Sequence, residues 1–370
     1  MSLLAVALCT TQASAGTVKR APYGTLKDGR TVGQWTLRNQ SGMTVRFIAL
    51  GAIITDVVVP GKDGKRANVA LGFSKLADYE ARNADYGFGA VIGRFAGRIA
   101  DARFSIDGRE VRLKANDGPN TLHGGGNGFD SKLWAVRPLG DGSGAALSYR
   151  SAAGEQGFPG ALTVRVTYRL LEDDALRIDY EAVTDAPTVI NLTNHSYFNL
   201  AGAGSGTALD HRLQVFADRY AEASESGIPT GTMPLVADTP FDFRRGTAVR
   251  SQINVAHPQM TNRRGYNHSW LLRGGEGDTV RLAARLWEAS SGRTMEVWTS
   301  EPVVHLYTAN WFSGKDRGAQ GTLYAAGDGI ALETQHLSDA PNQVDLPSTL
   351  LHPGEIYRST TIYRFNVGDR

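Results

Sequence analysis

An all-β fold, a large antiparallel β-sandwich or barrel, is what this chain predicts, and three observations carry that reading. Leu162–Leu170 alternates without a break, placing Leu162, Val164, Val166, Tyr168 and Leu170 on one side and Thr and Arg on the other. Among 370 residues 43 are glycine, and turn signals recur at Gly61-Lys-Asp-Gly64, Asp107-Gly108, Asp141-Gly142 and Gly327-Asp-Gly329. Helical periodicity is scarce throughout. Taken in order, strands are expected around Thr44–Leu50 and Ile53–Val59, then a short helix over Ser74–Arg82 capped by Ser74. Leu162–Leu170 turns through Glu172-Asp173-Asp174 into Leu176–Ala182, a hairpin, and further strands follow at Val280–Trp287, Met295–Thr299 and Tyr357–Phe365. No repeat, low-complexity tract or composition shift divides the chain, so one domain is expected from about residue 20 to 370.

Charge and cysteine use narrow the function. Lys plus Arg number 39 against 37 for Asp plus Glu, and the net charge of +2 gives no footprint for nucleic acid. No apolar run approaches 18 residues, so no membrane span is expected. The lone cysteine, Cys9, ends the apolar run Leu3–Cys9, which Ala13-Ser14-Ala15 and Gly16 follow. Residues 1–15 thus read as a signal peptide for a periplasmic or secreted protein, although no Lys or Arg precedes the run. Without a functional signal the protein would be cytoplasmic. Leu8 is too bulky before Cys9 for a lipidation site.

The most informative segment is Asn191–Leu200. As a strand it splits into two faces, with Asn191, Thr193, His195, Tyr197 and Asn199 together and Leu192, Phe198 and Leu200 opposite. Amides, a phenol and an imidazole suit the wall of a pocket for a polyhydroxylated ligand; a buried polar network tying strands together is the plainer alternative. In Ile330–His336 the same alternation sets Glu333 and Gln335 opposite Ile330, Leu332 and Thr334. Desolvation there would raise the Glu333 pKa towards a useful general base, whereas an ion pair with an arginine would make it structural. His305, Tyr307 and Trp311 share a face that could stack on a sugar ring or form core. His123 sits beside Gly124-Gly125-Gly126, Arg94 and Arg98 lie four apart among glycines, and Asp242 stands between Phe241 and Phe243. The eight histidines show no H-x-H or H-x-x-x-H spacing, so no metal is expected. No P-loop, dinucleotide fingerprint or G-x-S-x-G elbow is present.

Together these segments resemble the aldose 1-epimerases, or galactose mutarotases. The match runs in order through Leu71-Gly-Phe73, Gly93–Ile99, Thr121–Gly125, Gly157-Phe-Pro-Gly160, Asn191–Leu200, Thr239–Phe243, Leu306-Tyr-Thr308, Leu332-Glu-Thr-Gln335 and Pro353-Gly-Glu355 before Tyr357. The resemblance implies a galactose mutarotase-like supersandwich, a small aldose substrate, no cofactor, and a chain acting as monomer or homodimer. It implies Glu333 as the base that takes the C1 hydroxyl proton and His195 as the acid at the ring oxygen. It places His123 near that oxygen, and Arg98, Tyr197 and Asp242 at sugar-binding positions, with Asp242 on the far side of the ring. Two residues depart from the family pattern: Gly97 stands where an Asn is frequent, and His305 where a Gln is common, and both bear on sugar preference. The rival readings are a hexose-6-phosphate epimerase using Arg94 and Arg98, a non-catalytic carbohydrate-binding module, and a glycosidase pairing Asp242 with Glu333.

Overall fold

The alternating segments form antiparallel sheets in the computed structural model, which describes residues 16–368 except 262–263, 275–276, 278 and 344. The expected signal segment, residues 1–15, lies outside the described residues. Thr17–Thr25, Thr31–Arg38, Thr44–Ile48, Ile54–Pro60 and Arg66–Asn68 make a five-stranded meander. A nine-stranded sheet takes Leu162–Leu170, Ala175–Thr184, Tyr357–Val367, Arg293–Thr299 and Arg281–Trp287 at its centre. The expected hairpin is present, with Leu162 opposite Thr184 and Leu170 opposite Leu176. A third sheet, again of five strands, orders Tyr197–Phe198, Ile330–Gln335, Val303–Tyr307, Asn267–Leu272 and Ala217–Ala221 side by side.

Period-2 alternation decides which side chains join these layers. The back of the third sheet packs on the inner face of the nine-stranded sheet. There Thr334 Oγ1 lies 2.5 Å from Thr361 Oγ1, the Tyr363 hydroxyl donates to the Leu332 carbonyl (3.2 Å), and Phe198 packs on Tyr363. The meander meets the nine-stranded sheet through Phe47 and Tyr168, whose rings pack edge to face. One apolar cluster runs from Leu26 to Phe365. With Leu332 and Thr334 turned to this core, Glu333 and Gln335 necessarily face the other way.

Two local expectations need correction. The helix spans Leu76–Tyr86, and Lys75, not Ser74, holds its N-cap position with no side-chain cap. Asn191–Leu200 is not one continuous strand but two short ones, Thr193–Asn194 and Tyr197–Phe198. The break comes from Asn194, whose side-chain oxygen accepts hydrogen bonds from the Ser196 N–H and hydroxyl while its amide donates to the Gly89 carbonyl. Asn191 and Asn199 belong to the plainer reading. Asn191 Nδ2 donates to the Ala96 and His336 carbonyls, and Asn199 Nδ2 to those of Gly206 and Asp328.

Arg94 anchors the loops behind the third sheet. It is 2 % exposed and donates to the Pro159, Gly160 and Ala152 carbonyls and to the Ser151 hydroxyl. Removing the guanidinium would strand several buried acceptors. Arg94→Met is therefore expected to lower stability by roughly 3–5 kcal/mol in urea unfolding; unchanged stability would refute the anchoring role.

Candidate active site

The front of the third sheet floors a cleft of about 240 Å³. That is below the roughly 300–1,000 Å³ of sites for drug-sized ligands and suits a single small ring. Glu333 and His195 meet on its floor, with Glu333 Oε1 3.4 Å from His195 Nε2 and both side chains buried. Cross-strand register delivers them. Glu333 lies opposite His305, while Tyr197, two residues beyond His195, lies opposite Ala331. The imidazole is wedged between the Tyr197 ring, 4.8 Å away between centroids, and the backbone of Gly87. Gly87 closes the helix in the left-handed region (φ 69°), and a Cβ there would sit 3.3 Å from the His195 ring. Glycine at this position therefore serves the helix end and the imidazole together.

Burial governs the charge of both groups. It pushes the Glu333 carboxyl up to about 8 and the His195 imidazole down to about 4. Across that interval the pair holds one proton in total, leaving one donor and one acceptor side by side.

His123 joins them edge to face, its ring centroid 5.4 Å from that of His195. Its Nδ1 accepts the Gly97 N–H at 3.2 Å, so in the neutral ring the hydrogen resides on Nε2. Burial holds this imidazole neutral, well below the ordinary histidine pKa. The fold thus gathers His123, His195 and Glu333 within 4.8 Å, a trio that spacing in the chain did not suggest. The Gly97 bond makes His123 Nε2 a hydrogen-bond donor, which removes one of three lone pairs a metal would need.

The structure places most of the remaining expected residues at this cleft. Arg98 lines it, oriented by Asp117, which accepts its Nε–H at 2.7 Å. Tyr197 lines it too, but its hydroxyl proton is committed to the Tyr86 carbonyl (2.8 Å), so its ring supports His195 and only a lone pair faces a ligand. His305 lines it with both ring nitrogens engaged, Nδ1 with Ser269 Oγ and Nε2 with Asn267 Oδ1, each at 2.8 Å. Tyr307 stands in the wall, its hydroxyl accepting the Trp311 backbone N–H, and the Trp311 side chain, 56 % exposed, reaches the rim.

Asp242 is the correction. It does not line the cleft; Arg244 grips its carboxylate in a bidentate ion pair, 2.8 and 2.6 Å, two residues along. The family resemblance implies a sugar-binding position for Asp242; here the flanking Phe241 and Phe243 belong to the core and the carboxylate to an ion pair. Sequence reasoning also missed Asn267 and Ser269. Their period-2 spacing marks a shared strand face, yet only the register with Tyr307 and His305 brings that face to the cleft.

The family model for aldose 1-epimerase matches residues 33–364. The galactose mutarotase of Rattus norvegicus is 41 % identical over 351 residues, covering 95 % of this chain and 99 % of that protein. The aldose 1-epimerase of Escherichia coli (strain K12) is 38 % identical over 341 residues, covering 91 % and 96 %. Among solved structures, galactose 1-epimerase from Lactobacillus acidophilus NCFM superposes with a TM-score of 0.83 at 31 % identity, covering 96 % of this chain and all of that one.

Keeping a carboxyl this dry affects stability in a pH-dependent way. The unfolded chain ionises Glu333 near its ordinary value of 4.5, while the folded protein holds the proton to about 8. Stability is therefore lost as pH climbs from 4.5 to 8 and is not regained above it. Glutamine has no such term. Glu333→Gln is expected to be more stable than the parent by about 1–3 kcal/mol at pH 8.5, with the gap closing near pH 5; thermal melts at the two pH values decide it.

Proposed function

This chain belongs to the aldose 1-epimerase family and is an isomerase of sugar anomers; from that premise we propose that it interconverts the α and β anomers of hexoses such as galactose and glucose, with Glu333 and His195 moving the protons. The observation that carries the reading is the buried pair holding one proton across a 3.4 Å gap. Ring opening takes the proton from the C1 hydroxyl and delivers one to the ring oxygen. Rotation about C1–C2 turns the other carbonyl face, and closure reverses both transfers. Burial leaves the shared proton on Glu333 at rest. The reacting arrangement is the other one of the same pair, with that proton passed to His195, so that ionised Glu333 accepts the C1 proton and the imidazolium donates to the ring oxygen. Each group is restored at closure, so no covalent intermediate is needed. His123 Nε2–H donates to the ring oxygen, and Arg98 and His305 bound the sugar site, His305 through the Asn267 and Ser269 it holds.

The rivals each lose a specific support. A phosphorylated hexose needs free guanidinium groups, but Arg94 is spent on backbone carbonyls and Arg98 is paired with Asp117. A glycosidase built on Asp242 and Glu333 lacks Asp242 at the cleft. A binding module has no use for a desolvated acid and imidazole in contact. The reading also includes one domain from about residue 20 onward, supported by the continuous apolar cluster, and export directed by residues 1–15. Among the described residues no helix is long and apolar enough to cross a membrane.

Polarimetry on freshly dissolved α-D-glucose and α-D-galactose tests the activity. Glu333→Gln and His195→Asn are each expected to cut kcat/KM by roughly 10²–10⁴-fold with the fold intact; variants of ordinary activity would remove the assignment. The pH profile of kcat/KM is expected to be bell-shaped. Below about 4 the pair carries two protons and no base, and above about 8 it carries none and no acid. A profile flat through pH 8 and beyond would contradict it.

A further inference from the structure

We propose that Gln335 is a specificity-determining residue whose side-chain amide binds the primary C6 hydroxyl of a hexose. The assignment rests on the epimerase reading above and adds a contact to it. Gln335 ends the Glu333 strand, shares its cleft face and lines the cleft, yet only 2 % of its surface is exposed. Its Oε1 is buried without a hydrogen-bond partner among the described residues. Buried acceptors are ordinarily satisfied, so a solitary one on a residue that lines a ligand cleft points to a donor that arrives with the ligand.

The backbone of Gly97 explains why this amide is free to face the cleft. Gly97 adopts φ +79°, and a Cβ on it would collide with the Ser338 hydroxyl and lie 3.5 Å from Gln335 Nε2. A side chain there would be strained and would displace the Ser338 hydroxyl, and with glycine in place the Gln335 amide lies beside an open backbone. The same Gly97 donates its N–H to His123, the residue assigned to the ring oxygen. In a pyranose the ring oxygen has two carbon neighbours, C1 and C5. Glu333 takes the C1 hydroxyl and His195 the ring oxygen. An amide two residues beyond Glu333 and beside the anchor of His123 falls on the C5 side, where a hexose carries its hydroxymethyl group.

The test is kcat/KM on glucose, 6-deoxyglucose and 2-deoxyglucose for the parent and for Gln335→Met, a near-isosteric change without hydrogen-bonding groups. A site built around a hydroxyl rejects the analogue that lacks it. The expected result is a loss of roughly tenfold or more on glucose and 2-deoxyglucose in the variant, with 6-deoxyglucose unchanged. An equal loss on all three sugars would mean a merely structural role, and a loss spared on 2-deoxyglucose would mean a different hydroxyl; either overturns the assignment. The parent alone supplies a second reading, since it should prefer glucose to 6-deoxyglucose by roughly tenfold, and no preference refutes the contact whatever the variant does. A parent that accelerates none of the sugars removes the epimerase reading itself, whereas acceleration without discrimination removes only Gln335.

Discussion

Everything at the cleft depends on keeping a carboxyl and an imidazole away from water while leaving them a shared proton. Desolvation alone sets both pKa directions, since neither Glu333 nor His195 has a formal charge of opposite sign to lean on except the other. The sheets exist to hold that dryness. Thr334 and Leu332 lock the back of the strand to the nine-stranded sheet through Thr361 and Tyr363, so Glu333 cannot rotate out of its layer. On the other flank Gly87 and Tyr197 close over the imidazole. Their separation of 3.4 Å is long for a strong hydrogen bond.

Polar residues around this centre divide into scaffold and site by what they have left to offer. Asn191, Asn194 and Asn199 spend their amides on backbone carbonyls and fix the broken strand. Arg94 does the same for the loops behind it. Glu301, buried with His336 and the Tyr357 hydroxyl, is a second carboxyl–imidazole contact at 2.7 Å. It differs from the cleft pair in kind. The facing His336 and its hydrogen bonds hold Glu301 below the ordinary carboxylate range despite burial, so it is a charged clamp where Glu333 is a dry acid.

Period-2 alternation made much of this readable from the chain. Glu333 and Gln335 opposite Leu332 and Thr334, and the Leu162–Leu170 hairpin, follow from local pattern alone, and local pattern survives folding when the strand is straight. It failed where a side chain captures its own backbone, as Asn194 does, because that bond ends the alternation without any glycine or proline to announce it. Asp242 is expected at the sugar by resemblance and not by pattern, and the bond from Arg244 that holds it depends on a side-chain pairing that no alternation encodes. Asn267 and Ser269 became visible only with register, a property of two strands that neither encodes singly.

The bond from Gly97 to His123 has a consequence for a reversible reaction. Anomerisation runs both ways, and the substrate of one direction is the product of the other. The C1 oxygen swings between two positions, whereas the ring oxygen is common to both forms. In the proposed reaction, an imidazole whose hydrogen is held on Nε2 by a backbone amide would offer that common atom the same donor in both directions. The pivot is thus indifferent to handedness at C1. The balance between the two hands belongs to the sugar, as it does under any catalyst, and what the anchor holds constant is the donor.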